Sequence, residues 1–296
     1  MHYTVRKPST TERVAVRGLE YSVRRWGPAD APKVFLLHGW MDTSATFQFV
    51  VDALRHDWQL IAPDWRGYGE TTWLHRPYWF PDYYADLEAL LAHYAPEGPV
   101  RLVGHSMGAN IAGIYAGLRP QRVARLAMLD FIGLKVPADV DAPQQRGRWL
   151  DAQPGPPPAR AYADRAALAA RLRVANPRLT PARAEFLCRH LGRVRTDGQV
   201  EIAGDPWHKI PSPAVYRIED AMACWRLVRA PVLMLVSAEG YVHDRFADEP
   251  EDLQRRIGCF ANARVVTVPD CGHNLQHDQP EVVAAALEDF LDRETP

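Results

Sequence analysis

The chain has 296 residues, 47% hydrophobic and 24% charged, the profile of a soluble globular protein able to bury a large core. Its 35 Lys and Arg nearly cancel its 36 Asp and Glu, which gives no reason to expect nucleic acid or an anionic membrane as partner. No run of about 18 apolar residues occurs, so no membrane-spanning helix is expected.

The first residues, Met1-His2-Tyr3-Thr4-Val5-Arg6-Lys7-Pro8, have no apolar stretch of signal-peptide type. The four cysteines (Cys188, Cys224, Cys259, Cys271) are scattered, without CxxC or zinc-ligand spacing, and read as free thiols. Together these features lead us to expect a cytoplasmic protein with no metal and no cofactor. No phosphate loop or dinucleotide fingerprint is present either.

Residues 11–17 (TERVAVR) and 20–26 (EYSVRRW) alternate in polarity around a glycine and predict an antiparallel hairpin at a sheet edge. Six compact apolar runs follow: 33–37 (KVFLL), 59–62 (QLIA), 100–103 (VRLV), 125–129 (RLAML), 231–236 (PVLMLV) and 264–268 (RVVTV). Such runs suit strands covered on both faces, as in a mostly parallel sheet. Helices are predicted between them at 82–94 and 110–118, and after the last strand at 280–291, where Pro280 marks the start. The alternation predicts a doubly wound α/β fold. From 131 to 229 the strand rhythm is lost, and the segment carries Gln153-Pro154-Gly155-Pro156-Pro157-Pro158. It is too long for a plain loop. We expect a mainly helical cap inserted into a core made of residues 1–130 and 230–296, with helices at 161–175 and 181–191.

Chemistry concentrates at the ends of the apolar runs. The run at 100–103 leads into Gly104-His105-Ser106-Met107-Gly108 and then a helical stretch. G-x-S-x-G between strand and helix is the nucleophile elbow, whose small flanking residues allow a sharp turn that lifts the serine hydroxyl above the sheet. After 33–37 comes His38-Gly39-Trp40, where the glycine lets the chain turn an amide toward the site. The N–H groups of Trp40 and Met107 are the candidate oxyanion hole, and His38 is expected to be structural. After 264–268 comes Asp270-Cys271-Gly272-His273, which makes His273 the candidate general base among 11 histidines. His277, four residues on, reads as a surface or capping residue.

These segments, with Asp64-Trp65-Arg66-Gly67-Tyr68-Gly69, resemble the α/β-hydrolase superfamily in their order along the chain. LLHGWMDTSATF (36–47) and SAEGYVHD (237–244) are most similar to serine hydrolase-like proteins. The resemblance implies a doubly wound fold with a lid, a Ser–acid–His triad and a small-molecule ester-like substrate. It places the acid just past the strand at 231–236, where this chain has Gly240. Three carboxylates remain open: Asp130 at the end of the strand 125–129, Glu239 one residue early, and Asp244 late. Asp64 and Arg66 are expected to pair beside the oxyanion turn. Trp65, Trp73, Trp79, Trp149 and Trp207 are candidates for an aromatic pocket. An esterase-like hydrolase is the leading expectation; the alternative is a non-catalytic small-molecule receptor on the same fold, suggested by the missing carboxylate at Gly240. Neither oligomeric state nor acyl length is legible.

Overall fold

The computed structural model describes residues 2–134 and 140–292. Among the described residues ten strands form in chain order: β1 (Thr10–Val16), β2 (Leu19–Trp26), β3 (Lys33–Leu37), β4 (Gln59–Pro63), β5 (Val100–His105), β6 (Val123–Leu129), β7 (Gly192–Val194), β8 (Val200–Ile202), β9 (Val232–Ser237) and β10 (Ala263–Val268). Eight of them make one sheet in the order β1-β2-β4-β3-β5-β6-β9-β10. The β1–β2 and β2–β4 pairs are antiparallel and the others parallel. The fold is the expected doubly wound α/β sheet, with the hairpin at its edge.

The helices are α1 (Gln48–Ala53), α2 (Phe80–Tyr94), α3 (Met107–Leu118), α4 (Ala142–Asp151), α5 (Arg165–Ala175), α6 (Pro181–Leu191), α7 (Ile218–Trp225), α8 (Tyr241–Phe246), α9 (Pro250–Ile257), α10 (Leu275–Asp278) and α11 (Pro280–Leu291). Continuous apolar strands are explained by cores on both faces of the sheet. Because side chains alternate along a strand, Val34 and Leu36 of β3 join one core with Val283 and Leu287 of α11. Phe35 and Leu37 join the other, with Leu87 and Leu91 of α2, Ile111 of α3 and Trp225 of α7. Each such side chain, fully buried, contributes about 1.5–3 kcal/mol of transfer free energy.

The segment between β6 and β9 carries α4 to α7 and the β7–β8 hairpin. Its first part is polar: no residue of α4 is buried. The helix expected from 161 begins instead at Arg165, because Asp164 caps it by accepting the Ala167 N–H at 2.8 Å. Helix α7 packs on α3 in the core layer, so closely that a Cβ on Gly117 would lie 2.0 Å from the Cys224 carbonyl oxygen. The segment between β6 and β9 also meets the loops that leave the carboxyl ends of the strands: Asp205 N–H donates to the Gly67 carbonyl beyond β4, and Arg178 pairs with Glu239 beyond β9. Helix α6 packs Phe186 and Leu187 on Phe49 of α1.

Candidate active site

Ser106 stands between β5 and α3 with φ 52° and ψ −114°, a conformation that a residue with a side chain adopts only under strain of about 1–3 kcal/mol. The glycines around it explain how the turn closes. A Cβ on Gly104 would lie 2.5 Å from the Ala109 nitrogen, and one on Gly108 would lie 2.0 Å from the Leu37 carbonyl oxygen. Either would drive backbone apart.

The register of the sheet sets Asp130 beside Ser106. His105 pairs with Leu129, which pairs with Leu235, so Ser106 and Asp130 are each the next residue past a paired strand end. The Ser106 N–H donates to the Leu129 carbonyl at 3.1 Å and the Asp130 N–H to the Leu235 carbonyl at 2.8 Å. Asp130 also has positive φ, 47°, and its side chain is fully buried. Its Oδ1 accepts the Ser237 N–H at 3.1 Å and its Oδ2 the Tyr241 N–H at 2.7 Å. Each carboxylate oxygen thus accepts one backbone amide.

His273 joins the two strand ends. Its Nδ1 lies 2.8 Å from Asp130 Oδ2 and its Nε2 lies 3.0 Å from Ser106 Oγ. Since an ionised carboxylate only accepts, Nδ1 carries the proton and Nε2 is left free to accept from the Ser106 hydroxyl. The other two carboxylates lie elsewhere. Glu239 is exposed and pairs with Arg178, and Asp244 is exposed beside His243. Gly240, where the resemblance places the acid, has no room for a side chain. A Cβ there would come within 1.7 Å of Ser237 Oγ and 2.4 Å of Asp130 Oδ2. The Asp130 carboxylate fills that space.

The candidate oxyanion amides flank the serine. Met107 opens α3, so its N–H is among those that a helix start leaves without an intrahelical partner. Gly39 comes so near the serine that a Cβ on it would lie 3.2 Å from Ser106 Cβ. His38 sets the peptide that follows. Its Nε2 accepts the Trp65 N–H at 2.8 Å, so Nδ1 donates to the Gly39 carbonyl, also at 2.8 Å. In a trans peptide C=O and N–H point in opposite directions, so this bond turns the Trp40 N–H away from His38. Burial lowers the His38 pKa to about 4, which keeps this tautomer at neutral pH. The Trp40 indole is 45% exposed.

Several expectations are corrected here. Arg66 does not pair with Asp64; it makes a two-point bridge to Asp86 of α2 at 2.5 and 2.6 Å. Asp64 instead accepts the Ser44 N–H at 2.7 Å, with Gly69 packed on its carboxylate. His277 is buried rather than a surface residue. Its Nε2 lies 2.6 Å from Thr46 Oγ1, and burial pushes its pKa down to about 3. Trp65 is core, fully buried against Tyr83. Three supporting residues have no sequence signal of their own. His105 Nε2 donates to the His273 carbonyl at 2.9 Å, and its Nδ1 accepts from Gln276 Nε2 at 3.3 Å. Burial first, then the neighbouring His273, lowers the His105 pKa far below its ordinary value, so it stays neutral. Asp42, on the oxyanion loop and within electrostatic reach of His273, is pushed up to about 7 by burial. Among the described residues no group of His, Cys, Asp and Glu gathers that could hold a metal ion. Nor is any helix long and apolar enough to cross a membrane.

Residues 32–280 match the family model of the alpha/beta hydrolase fold. The chain belongs to the α/β-hydrolase family. Within it, the chain is 28% identical to a serine hydrolase-like protein of Danio rerio, over 99% of this chain and 91% of that one. It is 29% identical to lipase LipV of Mycobacterium tuberculosis, over 92% and 98%. Among solved structures, the hypothetical protein PA1622 of Pseudomonas aeruginosa superposes with a TM-score of 0.83 at 26% identity, covering 96% of this chain and 99% of that one. The thioesterase domain from the curacin biosynthetic pathway gives a TM-score of 0.83 at 22% identity, covering 95% and 99%, and so shares the fold.

Proposed function

We propose that this member of the α/β-hydrolase family is a serine esterase that cleaves a small or medium carboxylic ester, or a thioester or amide, through an acyl-enzyme. The observation that carries the reading is the unbroken chain from Ser106 Oγ through the His273 ring to Asp130 Oδ2, with steps of 3.0 and 2.8 Å. In the first half-reaction Ser106 Oγ bonds to the carbonyl carbon while its proton passes to His273 Nε2. Asp130 stabilises the imidazolium that results and keeps the ring in the productive tautomer. The carbonyl oxygen, now negative, accepts from the Trp40 and Met107 N–H groups. The tetrahedral carbon then expels the alcohol, which leaves with the Nε2 proton. Water repeats the sequence on the acyl-serine and restores Ser106. The inserted segment, seated on the loops at the carboxyl edge, serves as the cap over the substrate, in keeping with where sites lie in α/β sheets.

The receptor alternative drew its weight from the glycine at 240, and the carboxylate of Asp130 on His273 favours the hydrolase. The test is fluorophosphonate labelling, together with turnover of p-nitrophenyl esters of rising acyl length. Wild type should label and turn over, and Ser106→Ala should do neither while its circular dichroism stays unchanged. Labelling that survives in Ser106→Ala, or no labelling of wild type, would overturn the reading.

A further inference from the structure

His273 lies on a loop, and a general base must be held to a fraction of an ångström to work. Two hydrogen bonds fix the backbone on either side of its Cα. On one side His105 Nε2 donates to the His273 carbonyl at 2.9 Å, which ties the loop to the nucleophile elbow. On the other, Asp278 Oδ2 accepts the Gly272 N–H at 3.0 Å, which closes the loop from the far end of α10. The second oxygen of that carboxylate reaches outside the core. Asp278 Oδ1 accepts from Asn176 Nδ2 at 2.6 Å, and Asn176 is the residue that ends α5 of the inserted segment.

Asn176 has no freedom to serve elsewhere. Its Oδ1 accepts the Arg178 N–H at 3.1 Å, and its own N–H donates to the Leu172 carbonyl at 2.8 Å. The amide therefore presents its NH₂ to Asp278 from a closed turn. Arg178, two residues on, pairs with Glu239, and its guanidinium is 3.9 Å from where a Cβ on Gly272 would stand. Arg183 of α6 donates to the His277 carbonyl at 2.6 Å. The turn between α5 and α6 thus meets Asp278 through Asn176 and the loop beyond β9 through Arg178, while α6 meets His277 through Arg183, and of these bonds the Asn176–Asp278 one leads straight to the residue before His273.

We propose that Asp278 is a positioning residue for His273, and that Asn176 makes it dependent on the seating of the α5–α6 turn. The general base is aligned when the inserted segment is docked and slackens when that turn lifts. This rests on the hydrolase reading above, because it assigns His273 the role of base. Asn176 and Asp278 act through the loop and do not touch the reacting atoms. The carboxylate's two oxygens take one donor each, so Asp278→Asn retains one of the two bonds and turns an NH₂ toward the other donor.

The test combines Asn176→Ala, Asp278→Asn and the double variant on the full chain. The readouts are kcat and KM on a p-nitrophenyl ester, the rate of fluorophosphonate labelling, and hydrogen exchange of the segment 272–278. Asp278→Asn should lower kcat and the labelling rate about 10- to 100-fold with KM changed less than about threefold, since misplacement rather than lost binding is the defect. Asn176→Ala should lower kcat about three- to tenfold and speed exchange at the Gly272 amide, and in the double variant its effect should disappear. Full additivity of the two, or a loss confined to KM, would overturn the proposal. So would Gly272 exchange unchanged from wild type, and that measurement decides the point even if wild type neither labels nor turns over ester, which would count against the hydrolase reading alone.

Discussion

Strands β6 and β9 are neighbours in the sheet and run parallel, yet the segments that follow them do opposite things. Strand β6 ends in Asp130, a buried carboxylate at positive φ that receives two backbone N–H groups and the His273 ring. Strand β9 leads into Ser237-Ala238-Glu239-Gly240-Tyr241, which provides the Ser237 and Tyr241 amides and, at Gly240, the room that the Asp130 carboxylate fills, while its own acid, Glu239, pairs with Arg178 instead. The two ends are complementary: a carboxylate at one requires a glycine at the other, because both side chains would occupy the same volume. The carboxylate beside the His273 ring thus comes from the end of β6, in the space that the glycine past β9 leaves to it.

The largest test of that contrast is the acid itself. Asp130→Asn keeps the shape but removes the charge that stabilises the imidazolium and the acceptor that fixes its tautomer. Turnover of a p-nitrophenyl ester should fall about 10⁴-fold, the cost of the matching change in a serine triad. A loss under tenfold would move the role away from Asp130. The glycine is the next test. Gly240→Ala places a methyl group in the Asp130 carboxylate and should lower kcat by about 10²-fold and stability by about 1–3 kcal/mol, read by ester turnover and urea unfolding.

A third prediction contrasts His273, whose side chain is 35% exposed, with the histidines packed around the core. Burial lowers His38 and His190 to about 4 and His208 and His277 to about 3, against an ordinary 6.5. In the unfolded chain these rings take protons first as pH falls below their ordinary value, so stability is present above that pH and lost below it. Each contributes up to about 1.4 kcal/mol per pH unit until its folded pKa is reached. Urea midpoints should fall from about pH 7 to about pH 5, and His277→Gln should flatten the slope. The smallest effect belongs to Glu239→Gln. That exposed carboxylate pairs with Arg178, and its neutralisation should change kcat less than about threefold and leave the urea midpoint close to that of wild type, since solvent screens an exposed pair.

The sequence by itself determined the parts whose signals are local. Apolar runs marked the strands, and Pro280 marked a helix start that the structure keeps. The small residues beside Ser106 and the glycine at 39 marked turns, because a steric demand on a few consecutive residues is written in those residues. The partners of buried charges were not legible. Asp130 and His273 are 143 positions apart, and Arg66 meets Asp86 on a helix rather than its neighbour Asp64. Likewise His277 looked like a surface residue because its partner, Thr46, lies 231 positions away. Such pairings depend on strand order and register, which bring Asp130 level with Ser106 and leave Glu239 outside. The packing of α7 on α3 was not legible for the same reason, since it joins parts of the chain about a hundred positions apart. Local conformation follows from local sterics, whereas the choice among three carboxylates follows from which one the assembled sheet encloses within reach of the imidazole.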